Sequence, residues 1–132
     1  MRTICPHCKT EQKVDADYLR KIGFPELDIA TAKVWRGAGC ENCRQQGYQG
    51  RKGIYELLLV SESIRPLIMN RSSSTAIAQR AMEAGMRTLR TDGWNKVKAG
   101  ETTIEEVLRV TQMEEHIESL AGGEQPKFIS RT

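Results

Sequence analysis

The sequence of 132 residues has few aromatic side chains, only two histidines and no long apolar run. Aromatic residues make up 5% of the chain, so any hydrophobic core has to be mainly aliphatic. No apolar stretch approaches the roughly 18 residues that span a bilayer, and the chain opens with Met-Arg-Thr-Ile-Cys, which has no apolar signal region. These absences argue against a membrane-spanning protein, direct membrane insertion and export by an N-terminal signal.

The net charge is also small, at +3 from 20 basic and 17 acidic residues. Proteins that capture DNA or RNA electrostatically carry a much larger basic surplus on one face. We therefore expect no nucleic-acid partner. The alternative function from another class is a stand-alone zinc-ribbon module that binds nucleic acid. Its basic surface would consist of Lys9, Arg36, Arg44, Arg51 and Lys52.

Catalytic motifs are missing from the sequence. It contains neither the G-x-x-x-x-G-K-[ST] nor the G-x-G-x-x-G phosphate-binding pattern, and it has no G-x-S-x-G nucleophile elbow. Of the two histidines, His7 lies inside a Cys-x-x-Cys turn and His116 lies in an acidic run. We therefore expect no complete active site and no enzyme activity from this chain alone.

Four cysteines carry the strongest chemical signal. Two residues separate Cys5 from Cys8 and Cys40 from Cys43, and the 31 residues 9–39 lie between the pairs. Two such turns, here called knuckles, supply the four thiolates that a structural zinc site prefers. Because four sulfurs fill a tetrahedral shell, a catalytic zinc with an open position is disfavoured. The long gap predicts a folded segment between the knuckles.

Other uses of the cysteines stay open at this point. Disulfides require an oxidising compartment, which nothing in the sequence indicates. Iron in the same sulfur cage, or a Cys-x-x-Cys redox pair, also fits the spacing. His7 could replace one cysteine as a ligand, although four sulfurs already satisfy the metal. Five glycines between residues 37 and 53 suit the tight backbone of a metal knuckle.

The remaining patterns predict an α+β fold that is mostly α. A short helix is expected over residues 14–23, with Asp15 as its N-cap, and a strand near residues 32–36. The strongest strand candidate is residues 54–60, Ile-Tyr-Glu-Leu-Leu-Leu-Val, whose continuous apolarity indicates burial on both faces. About four helices follow, starting near 61 and then covering about 73–84, 88–99 and 102–111.

These elements divide the chain into four predicted parts. They are a tetracysteine zinc-binding subdomain (1–53), the apolar strand (54–60), a helical subdomain (61–112), and a helical extension with a disordered tail (113–132). The last helix is predicted to open with a capping box of Thr102 and Glu105. We expect the helices after residue 61 to persist without metal, because their apolar faces are taken to form independently of it.

Several separated motifs share one family pattern. They are Cys-Pro-His-Cys at 5–8, Gly-Cys-x-x-Cys-x-x-x-Gly-Tyr-x-Gly-Arg-x-Gly-Ile-Tyr-Glu-Leu-Leu at 39–58, Gly-Met-Arg-Thr-Leu-Arg-x-Asp-Gly at 85–93, and Lys-Val-x-x-Gly-x-Thr-Thr-x-Glu-Glu-Val-Leu-Arg-Val-Thr at 96–111. In this order they resemble the C-terminal tetracysteine and helical region of the type II secretion and type IV pilus assembly ATPases, the GspE/PilB group. The resemblance covers roughly residues 2–112.

The resemblance implies a non-catalytic, zinc-stabilised part of a hexameric motor. The family's ATP-hydrolysing segments lie upstream of this region, so ATP and Mg²⁺ are implied only for the full-length parent. The strand at 54–60 would join the sheet of the parent's nucleotide-binding domain. Implied partners are the parent ATPase domain, neighbouring subunits of a homo-hexamer and inner-membrane platform proteins. The implied location is cytoplasmic, at the inner membrane through those partners.

Arg51 is the one further site residue that we single out. It follows Gly50 and lies eight residues after Cys43, close enough for the knuckle to fix the direction of its guanidinium. A planar cation suits a phosphate or carboxylate at an interface. The resemblance places this position beside the ATPase domain, within reach of a neighbouring subunit's nucleotide. The competing interpretation is an ordinary ion pair with Glu56.

Overall fold

The computed structural model describes residues 1–111, which form short strands and helices. The strands are β1 (Arg2–Ile4), β2 (Lys9–Gln12), β3 (Val34–Gly37) and β4 (Tyr48–Arg51). The α-helices of this range are α1 (Ala16–Lys21), α2 (Glu26–Ile29), α3 (Arg65–Met69), α4 (Ser74–Glu83), α5 (Leu89–Lys98) and α6 (Ile104–Thr111). The predicted α+β, mostly α class is confirmed. The extension and tail predicted at 113–132 lie outside the described residues.

The strands pair into two antiparallel two-stranded sheets, β1 with β4 and β2 with β3. One cysteine knuckle connects β1 to β2, and the other connects β3 to β4. Each strand beside the first knuckle is therefore paired with a strand beside the second knuckle. This pairing brings the two knuckles side by side. The segment between them holds β2, α1, α2 and β3, so the folded insertion predicted from the long gap is confirmed.

Local sequence signals explain where three of the helices begin. Asp15 accepts a hydrogen bond from the Asp17 amide at the start of α1, as its predicted N-cap role requires. Ser73 and Thr88 cap α4 and α5 in the same way. None of the helices described within residues 1–111 has both the length and the apolar character needed to cross a membrane.

The capping box predicted for α6 from Thr102 and Glu105 is wrong by one residue. Thr103 accepts the hydrogen bond of the Glu106 amide at 3.2 Å. The Thr102 hydroxyl is used elsewhere, because it donates to the Arg2 carbonyl at 2.7 Å. Both threonines fit the capping pattern. Thr102 bonds instead to the Arg2 carbonyl, 100 positions away in sequence, so Thr103 is the residue that caps the helix.

The segment predicted as a strand, residues 54–60, has no strand partner among the residues that the structure describes. Apolar content predicts burial, but a strand also needs a neighbouring edge to which its backbone can bond. The segment remains largely uncovered by the described residues. Its exposed apolar side chains are Tyr55, Leu57, Leu58, Leu59 and Val60.

Helix α5 nevertheless holds the start of this segment in place. The Tyr55 amide donates to Asp92 Oδ2 at 3.0 Å. Glu56 Oε2 accepts from the Leu89 amide, also at 3.0 Å, in the first turn of the same helix. The pKa of Asp92 is lowered, because the hydrogen bonds from Lys96 and from Tyr55 outweigh the effect of burial. The segment is therefore anchored by two carboxylates, while the apolar side chains that follow stay exposed.

The core is shared between residues 1–53, here called the knuckle half, and the last two described helices, α5 and α6. Phe24, just after α1, packs against Trp94 of α5 with ring centroids 5.4 Å apart. A Cβ at Gly93 would come within 2.6 Å of Val107, so this glycine lets α5 and α6 pack closely. The apolar faces of α5 and α6 thus pack against the knuckle half, which counts against the expectation that these two helices persist without metal. The core consists of Leu19, Phe24, Val34, Trp94, Val97, Ile104 and Val107.

A buried carboxylate joins the two ends of the described chain. Glu106 on α6 is 1% exposed and accepts hydrogen bonds from the Arg2 amide at 2.8 Å and from Arg2 Nη2 at 2.6 Å. Arg109 donates to it from Nε at 3.0 Å and from Nη2 at 2.9 Å. Burial raises the pKa of Glu106, but the hydrogen bonds from Arg109 and Arg2 outweigh it and lower the pKa from 4.5 to about 2.

Removing this charge should destabilise the fold at neutral pH. Glu106→Gln leaves two guanidinium groups without their shared counter-charge. The depressed pKa corresponds to on the order of 3 kcal/mol in the free energy of unfolding. Urea unfolding followed by circular dichroism measures the loss. Glu105→Gln, at the exposed neighbouring position, is the control and should change the free energy by less than about 0.5 kcal/mol.

The stability lost in Glu106→Gln should become smaller as the pH falls. Because the folded pKa lies below the unfolded one, the stabilisation from Glu106 is present above about pH 4.5 and is lost as the pH falls toward 2. The stability gap between the wild type and Glu106→Gln should therefore narrow in acid. Equal gaps near neutral pH and near about pH 3 would show that the ionised carboxylate is not the source.

Candidate metal centre

Four cysteine sulfurs lie together where the two knuckles meet. The Sγ atoms of Cys5, Cys8, Cys40 and Cys43 are all within 4.8 Å of one another. The Cys5–Cys40 and Cys8–Cys43 sulfur pairs are 3.8 Å apart, and the Cys40–Cys43 pair is 3.7 Å apart. Four sulfurs at about 2.3 Å from one tetrahedral ion lie about 3.8 Å from each other. The donor set therefore fits a tetrahedral ion.

The cysteines are free thiols, and the sulfur separations are far longer than the roughly 2 Å of a disulfide bond. Cys5 and Cys43 are buried, whereas Cys8 and Cys40 are half-buried. His7, which was considered as a replacement ligand, is exposed and is not part of the cluster. The arrangement offers four sulfur ligands and shields two of them from solvent.

Backbone amides point at two of the sulfurs. The Gly39 amide donates to Cys8 Sγ at 3.3 Å, and the Cys40 and Gly47 amides each donate to Cys43 Sγ at 3.2 Å. Burial raises the pKa of both thiols, and it brings the pKa of Cys8 to about 12. At Cys43 the two amides outweigh burial and lower the pKa to about 6. Cys43 Sγ thus receives two backbone amides, whereas Cys8 Sγ receives one.

Two glycines let the knuckles approach each other. A Cβ at Gly37 would lie 2.0 Å from the Gly47 carbonyl oxygen, and one at Gly47 would lie 2.6 Å from the Gly37 oxygen. Gly47 also has a φ of +75°, a conformation that favours glycine. A side chain at either position would push the backbones apart and move the amide that bonds Cys43. The glycine-rich sequence indicated close backbone approach, but it did not show which two glycines meet.

Sequence reasoning did not identify Gln49 as a neighbour of the sulfurs. Its Oε1 lies 3.6 Å from Cys5 Sγ, and its backbone carbonyl accepts a hydrogen bond from the Thr3 hydroxyl. These contacts depend on the pairing of β4 with β1, which brings residues 46 positions apart together. Gln45 and Gln46 precede it in the sequence, and no local signal distinguishes Gln49 from them.

Arg51 lies at the end of β4, opposite Arg2 in the β1–β4 pair and outside the sulfur cluster. It is exposed, and its side chain makes no hydrogen bond or ion pair with any residue from 1 to 111. Glu56, considered as its ion-pair partner, instead accepts the Leu89 amide. The guanidinium therefore faces solvent beside the knuckles.

Comparison with known proteins identifies the family. A family model described as type II/IV secretion system protein matches residues 1–109, which include both knuckles and most of α6. The chain belongs to the type II/IV secretion system protein family. The family resemblance found from the motifs is thus confirmed.

Individual relatives are named as type IV pilus assembly ATPases and as a type II secretion system protein. The chain is 46% identical over 111 residues to the type IV pilus assembly ATPase PilB of Thermus thermophilus, covering 84% of this chain and 12% of that protein. It is 41% identical to PilB of Pseudomonas aeruginosa, covering 84% and 19%. It is 38% identical to the type II secretion system protein E of Aeromonas hydrophila, covering 85% and 22%. The chain thus spans 12% to 22% of the length of these relatives.

Proposed function

We propose that this chain is a zinc-stabilised, non-catalytic C-terminal part of a hexameric ATPase that drives protein secretion or pilus assembly. The tetrahedral spacing of the four cysteine sulfurs carries the metal assignment, because this donor set is the one that structural zinc prefers. The names of the relatives support the motor assignment. The predicted boundaries at residues 53 and 60 belong to this proposal.

In this proposal the chain supplies structure and contacts, and the chemistry belongs to the rest of the motor. Four thiolates leave zinc no open position for water or substrate, so the ion stabilises the knuckles. ATP and Mg²⁺ belong to parts of the longer protein that this chain does not contain. The partners are the parent ATPase domain, neighbouring subunits of a homo-hexamer and inner-membrane platform proteins, which place the motor on the cytoplasmic side of that membrane.

Metal content is the direct test of the proposed centre. Elemental analysis of the purified chain should give about one zinc per molecule, and X-ray absorption should give sulfur neighbours at about 2.3 Å. Cys40→Ser should lower the zinc content sharply because it removes one of the four ligands. His7→Ala is the matched control in the same knuckle and should retain full zinc. A zinc-free, folded chain with two disulfides would contradict the proposal, as would bound iron.

Chelating the metal should loosen more than the knuckles. The knuckle half contributes three residues to the core that contains Trp94 and Val97 of α5. They are Leu19, Phe24 and Val34. The amides of α5 should therefore lose hydrogen-exchange protection together with those of residues 1–50, whereas α4 contributes no residue to this shared core and should change less. Loss of protection confined to residues 1–50 would show that the shared core does not couple the two parts.

The exposed segment 54–60 is the proposed contact with the parent ATPase domain, where it would add a strand to a sheet. Its side chains alternate in direction, as those of a strand do. Tyr55, Leu57 and Leu59 line a cavity of about 470 Å³, and Glu56 and Leu58 line a second cavity of about 340 Å³. Most of its backbone amides have no partner within residues 1–111, so they are available to a sheet edge.

The isolated chain should therefore self-associate through this segment, because an exposed apolar edge pairs with other chains. Light scattering at increasing concentration measures it. Leu57→Lys and Leu59→Lys should reduce the association. Each leucine is 71% exposed, and a lysine in its place puts a positive charge on the pairing edge. Leu27→Lys is the control, because Leu27 is 96% exposed on α2, away from the segment. A clean monomer at high concentration would contradict this placement.

We also propose that Arg51 reaches a phosphate or carboxylate on a neighbouring subunit. Its support is an exposed guanidinium, without a partner among residues 1–111, at the end of the strand that follows a knuckle. In the full-length motor, Arg51→Ala should lower ATP turnover per hexamer while the zinc content stays unchanged. Arg36→Ala, at another exposed arginine, is the control. Unchanged turnover with Arg51→Ala would remove it from the nucleotide site.

A further inference from the structure

We propose that Gln49 is a positioning residue of the metal centre, and that its side-chain amide donates the hydrogen bond that the Cys5 sulfur otherwise lacks. The inference rests on the metal centre proposed above and deepens it. The sulfurs differ in the number of backbone amides that donate to them. Cys8 receives one backbone amide and Cys43 receives two. Among residues 1–111 no backbone amide donates to Cys5 Sγ, and the polar side-chain atom beside it is Oε1 of Gln49.

Whether the Cys5 sulfur is a thiol or a thiolate determines which end of the Gln49 side-chain amide faces it. A metal-bound cysteine is a thiolate, which accepts hydrogen bonds and donates none. The Gln49 oxygen at 3.6 Å would then face a second acceptor, an arrangement that is repulsive. Rotation about the terminal side-chain torsion, which is soft in glutamine, exchanges the oxygen for the NH₂ group at nearly the same position. The amide then donates to Cys5 without movement of the backbone.

The backbone around Gln49 is fixed in a way that aims this side chain. Its carbonyl accepts the Thr3 hydroxyl, and the Cys5 amide donates to the Gly47 carbonyl at 3.0 Å. These bonds lock β4 against the strand that leads into Cys5. Gly50, the next residue of β4, has a φ of +84°, and a Cβ there would lie 3.1 Å from Thr3 Oγ1, so the backbone beside Gln49 lies close against Thr3.

Removing the donor should weaken metal binding in a measurable way. Groups that hydrogen-bond to metal ligands change affinity by about 10–100-fold, and a single donor on an exposed residue belongs at the lower end. Gln49→Leu should therefore weaken zinc binding about tenfold in competition with a chromophoric chelator. Gln49→Glu keeps the shape but presents a carboxylate to the sulfur charge, so its loss should be larger. Gln46→Leu is the matched control, because Gln46 is exposed and its side chain makes no hydrogen bond to a cysteine sulfur within residues 1–111.

Two spectroscopic readouts separate this role from a structural one. With Co²⁺ in place of zinc, loss of the hydrogen bond should move the sulfur-to-cobalt charge-transfer band to lower energy in Gln49→Leu and leave it unmoved in Gln46→Leu. In the wild type, the Gln49 side-chain amide protons should shift and become protected from exchange when metal binds, and those of Gln46 should not.

The outcomes distinguish the inference from the proposal beneath it. A wild type that binds no metal overturns the metal centre itself. If the wild type binds metal tetrahedrally, the metal centre stands. The role of Gln49 is then overturned if Gln49→Leu keeps the same metal affinity and charge-transfer band and the Gln49 amide protons do not shift when metal binds. Weakened binding in Gln49→Leu with normal circular dichroism, a moved band and a normal Gln46→Leu supports it.

Discussion

The hydrogen-bonded carboxylate of Glu106 fixes how the knuckle half of the chain meets the helical half. A carboxylate that is 1% exposed is costly to bury, and five N–H donations from Arg2 and Arg109 offset that cost. Three of those donations come from the first strand. The same strand continues with the Ile4 amide, which donates to the Glu101 carbonyl at 2.9 Å just before α6. Cys5 is the next residue, so the position of the first sulfur ligand follows from where β1 sits on α6.

The shared core extends the same connection to the second half of the metal centre. Val34 of β3 lies in the core with Trp94 and Val97 of α5, and β3 leads into the knuckle of Cys40 and Cys43. Three buried residues of the knuckle half, Leu19, Phe24 and Val34, belong to the core that is shared with α5 and α6. The later helices therefore depend on the knuckles for part of their core, and the knuckles depend on the helices for their placement.

Much of this arrangement was predictable because its signals are local. The two-residue spacing within each knuckle is short enough to determine the turn, and Asp15 caps α1 through a neighbour only two positions away. The strands β1, β2 and β4 were missed, because they are only three or four residues long, largely polar, and formed by pairing between β1 and β4 and between β2 and β3. The pairing also determines the place of Gln49, so no local pattern could have identified it. The strand predicted for residues 54–60 has no pairing edge among residues 1–111, and its place in a sheet of the parent domain stays a prediction. Its apolar side chains gave the signal, but apolarity alone does not identify the strand that it pairs with.

The exposed segment is mechanically connected to the metal centre through α5. Asp92 and Leu89 of that helix hold Tyr55 and Glu56, while Trp94 and Val97 on the same helix pack into the shared core. The start of the segment is also fixed, because Lys52 forms a 2.7 Å ion pair with Glu101 and its amide donates to the Met1 carbonyl. A strand partner that binds residues 54–60 would therefore bind beside α5 and the end of β4. Helix α5 packs on Val34 of β3 through Trp94 and Val97, and β3 and β4 flank the second knuckle. The segment and the metal centre are thus connected through one helix and one shared core.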